Sequence, residues 1–128
     1  MEIQPYMGKE QREYLEAAAR VKEIMAKVDA DLPPTPKRGE DLEAFARAHE
    51  AAATRHRLHE ALDAKLTAQW ALLDWAKGIL EIEMAGDPDL PRVLASFNTA
   101  PKYSAMLDEL IGLCLELDPE KGDDHAND

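Results

Sequence analysis

The chain has 128 residues, 45% of them apolar and 32% charged, with one cysteine and a formal net charge of −11. That length suits one ordinary domain with a hydrophobic core, and the balance of apolar and charged residues excludes a disordered chain and fits an all-α one. Lone Cys114 excludes an intrachain disulfide framework, no run approaches the roughly 20 apolar residues of a membrane span, and the acidic balance disfavours direct binding to nucleic acid or anionic lipid.

The start, Met1-Glu2-Ile3-Gln4-Pro5, lacks the basic and apolar stretches of a signal peptide, so a soluble cytoplasmic protein is expected. A stripe at Tyr14, Ala18, Val21, Met25, Val28 and Leu32 then steps by four and three. It predicts an N-terminal helix over about residues 9–30 with a near coiled-coil period. Pro33-Pro34-Thr35-Pro36 stops it, because proline lacks the amide donor and clashes with the preceding turn. With Lys37 and Arg38 the same stretch matches the P-x-x-P spacing that SH3 domains read and a Thr-Pro phosphorylation site, although a stiff linker explains it as well.

From Glu40 to Ala85 there is no proline and only Gly78 to weaken a helix-favouring run. The pattern predicts one long central helix over about residues 40–85. As a rod it would span about 69 Å, against about 33 Å for the first helix, so its second half, with Leu66, Trp70, Leu72, Leu73, Trp75 and Ile79, needs a further partner. A break near its middle, giving a compact bundle of four or five helices, stays open as the alternative. Gly86-Asp87-Pro88-Asp89 ends the run. Two C-terminal helices follow, over about 89–97 and 101–117. Residues 1–117 read as one helical domain and 118–128 as a disordered acidic tail.

Three constellations invite chemistry. His49, His56 and His59 lie on the central helix, and helical spacing brings His56, His59, Glu60 and Asp63 close enough to be weak candidates for a metal site. A solvated edge or a polar layer that fixes register is the plainer reading, and no metal or other cofactor is expected. Trp70 and Trp75, five residues apart, project about 140° from one another. They serve as core anchors or, if exposed, mark a binding patch. The acid-rich segments contain no EF-hand loop and no catalytic carboxylate pattern, and no nucleophile motif occurs, so the chain is read as not an enzyme.

Charge is unevenly spread. Residues 1–65 hold 13 acidic and 11 basic side chains, whereas 66–128 hold 13 and 4. The expectation is a non-enzymatic protein–protein interaction module, a scaffold or adaptor that self-associates as a homodimer or meets another, basic protein. Trp70, Trp75, Glu81, Glu83, Asp108 and Glu109 are the candidate contact residues. The alternative is an acidic inhibitor that imitates nucleic acid on a DNA- or RNA-binding protein, as virus- or mobile-element-encoded anti-defence proteins do.

Overall fold

A computed structural model describes Ile3, residues 5–35 and residues 39–120, apart from the Glu40 side chain. Over these residues the chain is all-α. Its helices are α1 (Lys9–Ala30), α2 (Gly39–Arg55), α3 (Leu58–Glu83), α4 (Leu90–Thr99) and α5 (Ser104–Glu116), with a 3-10 turn at Ala100–Lys102. The first helix has the bounds read from the sequence, and the two C-terminal helices shift by one to three residues, the usual uncertainty of helix ends. No described helix is long and apolar enough to cross a membrane.

The central stretch departs from a continuous rod. It is helical on both sides of His56–Arg57 but interrupted there, with Arg57 in the left-handed region at φ 59°. The His56 amide still donates to the Ala52 carbonyl at 3.0 Å, the Arg57 amide donates to Thr54, and the Ala61 amide takes up the ladder again from Arg57. Burial gives the reason for the break. Ala52 and Ala53 at the end of α2 and Leu58 and Ala61 at the start of α3 all pack in one cluster with Val21, Ile24 and Val28 of α1. An unbroken helix carries its buried stripe along one face, whereas a turn at 56–57 lets both flanking segments meet α1.

The described chain forms two compact units, residues 16–67 and residues 1–15 with 68–128, and α1 and α3 contribute to both. The 16–67 unit is built on the cluster just described. Beyond it, Pro33 and Pro34 border a shallow recess with Asp41, Ala44 and Phe45, so the proline linker folds against the start of α2. Pro36, Lys37 and Arg38, the second half of the P-x-x-P reading, lie outside the described residues.

The other unit buries larger side chains: Met7, Tyr14, Leu72, Leu73, Ile79, Phe97, Leu110 and Ile111. The expectation that the first helix leaves the second half of the central stretch uncovered is therefore corrected. Met7, Gln11 and Tyr14 are part of this core, and the Trp75 ring lies 3.5 Å from where a Cβ on Gly8 would stand. That Cβ would also come within 3.1 Å of the Pro119 side chain, so a larger residue at position 8 would press on the three segments that meet there.

One polar side chain is buried in this core. Gln11, 1% exposed, is the third residue of α1, and its Oε1 accepts the Gly8 amide at 2.8 Å, closing the helix start as the return arm of a capping box does. Its Nε2 donates to the carbonyls of Cys114 (3.0 Å), Leu115 (3.2 Å) and Leu117 (2.9 Å). Those carbonyls lie in the last turn of α5 and just past it, where the intrahelical ladder runs out, and that of Cys114 also accepts the Leu117 amide at 3.4 Å. A single amide group thus ties the positive end of α1 to the negative end of α5. Of the expected tail, residues 118–120 are described, with the Glu120 amide donating to Asp118 Oδ1; 121–128 lie outside the described residues.

Candidate interaction site

The histidines do not converge. His56 Nε2 lies 2.6 Å from Asp31 Oδ2, which also accepts Arg55 Nη1 at 2.8 Å, while His59 Nε2 lies 3.3 Å from Glu50 Oε1. Glu60 faces Arg57 at 3.9 Å, and Asp63 is exposed. Among the described residues no three metal-ligating side chains gather. The break at 56–57 explains this, because His56 sits in the turn and points to the end of α1 rather than along a helix face. The hydrogen bond from His56 holds the Asp31 carboxyl below its ordinary value, against some desolvation and with further help from the charges of His56 and Arg55. This is a clip between helix ends in the 16–67 unit.

The two tryptophans divide. Trp75 is half-buried beside Gly8, whereas Trp70 is 48% exposed, as expected of aromatics that project in different directions from one helix. Ile82, Tyr103, Met106 and Leu113 in the same unit are also exposed, Leu113 to 62%. Glu81, Glu83, Asp108 and Glu109 all lie at the surface. Asp108 sits about 160° around α5 from Leu110, and the Tyr14 phenol is raised above its usual range by burial and, less, by the charge of that carboxylate.

The unit also forms a pocket between the end of α3, α4 and α5, which no motif in the sequence marks. Leu80, Val93, Phe97, Leu110, Leu113, Cys114 and Leu117 line about 170 Å³, with Ser96 as the polar member of the wall. The Ser96 hydroxyl donates to the Val93 carbonyl within its own helix and makes no demand on an occupant. Three helices meet here because their short connections hold them together: Gly86, at φ 85°, ends α3 in a left-handed turn, and the 3-10 turn carries α4 directly into α5. Leu113 and Leu117 stand on the face of α5 that contains Leu110 and Cys114, four and three residues apart. The Cys114 thiol is 1% exposed and pushed up to about 11 by burial, so it is a packing group and not a nucleophile at neutral pH.

No family model, curated protein or solved structure matches the chain. The reading of function therefore rests on this geometry. A wall of apolar side chains with its one hydroxyl already bonded can exclude water and hold an apolar group. Ionisable groups poised for proton transfer do not line it.

Proposed function

We propose that the chain is a non-catalytic helical interaction module that binds another protein through the 68–120 region. One observation carries the reading: large apolar side chains that a core normally absorbs, Trp70, Tyr103, Met106 and Leu113, stand exposed in the unit whose pocket is open to an apolar group. Exposed aromatic and aliphatic anchors beside a pocket are the usual energetic centres of interfaces. The notion of a scaffold exposing the whole second half of a rod gives way to a narrower surface, since Leu72, Leu73, Ala76 and Ile79 are buried within the unit.

The test is capture with the intact chain as bait at low and high salt, run beside Leu113→Asp and beside Arg20→Ala, an exposed position of the other unit. A partner retained by Arg20→Ala and lost with Leu113→Asp supports the proposal. A partner lost only on raising salt, and indifferent to Leu113→Asp, replaces it with the acidic nucleic-acid-mimic reading, whose contacts are electrostatic.

A further inference from the structure

Resting on the interaction-module reading, we infer that the α3–α4–α5 pocket receives one large apolar side chain carried by a basic amphipathic helix of a partner protein. Size comes first. A cavity of about 150 Å³ lined by aliphatic and aromatic side chains accepts a benzene-sized group, and this one measures about 170 Å³. It fits a single Phe or Leu side chain and is far smaller than the roughly 300 Å³ at which pockets for drug-sized ligands begin.

Charge selects the partner. Residues 68–120 hold ten acidic side chains and three basic ones, a net −7. Leu113, the most exposed lining residue, has Glu109 and Glu116 as its i−4 and i+3 neighbours on the surface of α5, and both are exposed. Of the basic residues on these elements, Arg92 lies 3.6 Å from Asp89, and Lys77 stands three residues before Leu80 on α3. An apolar anchor flanked by Lys or Arg meets the pocket and its acidic rim together. A second copy of the chain would set one acidic rim against another, and the chain's own final residues, Lys121-Gly122-Asp123-Asp124-His125-Ala126-Asn127-Asp128, offer no large apolar side chain. An amphipathic helix presents its anchor and its charges at fixed i, i+3 and i+4 positions, which matches a pocket bordered by carboxylates one turn away on each side.

The probe is a short fluorescein-labelled synthetic helix with Lys on its polar face and one central Phe, titrated into the intact chain and followed by anisotropy, with methyl NMR of the chain as a second readout. Binding should weaken about tenfold or more when the peptide Phe is replaced by Ala. The Phe ring should shift the methyl signals of Leu80, Leu113 and Leu117. Glu109→Gln combined with Glu116→Gln should weaken binding several-fold at low salt and little at high salt. Equal binding of the Phe and Ala peptides, equal binding of a peptide with Glu for Lys, or ring-induced shifts confined to methyls outside the pocket overturns the inference. So does a chain that captures a Leu113-dependent partner yet ignores the peptide, a result that leaves the interaction-module reading standing. If toluene alone produces the same methyl shifts and the peptide adds none, the pocket is a small-molecule cavity and the inference fails.

Discussion

Two cores in one short chain are built from different materials. Residues 16–67 carry ten acidic and nine basic side chains and pack on valine, isoleucine, one leucine and three alanines, Ala52, Ala53 and Ala61. Residues 1–15 with 68–128 carry sixteen acidic and six basic, and bury leucines, isoleucines, Phe97 and a hydrogen-bonded glutamine. Nearly all the net charge thus belongs to the unit with the larger buried side chains and the α3–α4–α5 pocket. Small buried side chains remove little apolar area, at roughly 25 cal/mol per Å², so the 16–67 unit rests mainly on close helix approach, to which the exposed charge clip adds little. The other has enough buried area to carry self-repulsion among its carboxylates and still leave Trp70 and Leu113 for a partner.

The sharpest test of this contrast is Gln11→Glu. It keeps the shape and the acceptor for the Gly8 amide but places a carboxylate against the Cys114, Leu115 and Leu117 carbonyls in a buried site. An uncompensated buried charge of this kind costs about 3–5 kcal/mol, and urea unfolding should show a loss of that order. A loss below about 1 kcal/mol would mean that the link between α1 and α5 opens freely.

Next in size are matched truncations in the two cores. Leu72→Ala, at a residue 0% exposed, should cost about 2–5 kcal/mol. Val28→Ala, equally buried in the 16–67 unit, removes two carbons worth roughly 1.6 kcal/mol of transfer free energy. Equal losses from the two, measured by urea unfolding, would erase the proposed difference in core quality.

How far the fold was readable follows the same division. Helix stops marked by Pro33 and Gly86 were legible, since each removes a donor or supplies an unusual φ. The break at His56–Arg57 was not, because Thr54-Arg55-His56-Arg57-Leu58 contains neither glycine nor proline and every residue in it tolerates a helix. The packing of Ala52, Ala53, Leu58 and Ala61 on α1 accounts for it. Gln11 left a faint trace, a glutamine three residues after a glycine at a helix start, while its second set of partners lies more than 100 residues away in sequence. The pocket left none, because Leu80, Phe97 and Leu113 read as ordinary core positions until α4 and α5 are placed.

A smaller effect isolates the turn. Arg57 at φ 59° occupies a region that disfavours a side chain by about 1–2 kcal/mol, part of which glycine returns through the greater freedom of its unfolded chain. Arg57→Gly should therefore raise stability by up to about 1 kcal/mol. If it lowers stability instead, the chain prefers the continuous helix over this stretch, and the 16–67 core as described is wrong.

The smallest effect concerns the clip, and its sign can be worked out. Asp31 titrates below its ordinary 3.8 in the folded chain, chiefly through the hydrogen bond from His56 and then through the charges of His56 and Arg55. The folded state therefore favours the ionised carboxylate. Its contribution is complete above the unfolded value and disappears as pH falls through the lower folded one. Asp31→Asn should change stability little at neutral pH, as exposed pairs do, and should flatten the acid limb of the stability profile below about pH 4. Because Arg55 and His56 belong to the 16–67 unit, that flattening should be seen in amide exchange of residues 52–61 and not in that of residues 110–114. An identical acid response in both segments would show that the two cores unfold as one, and the distinction between them would hold for composition but not for stability.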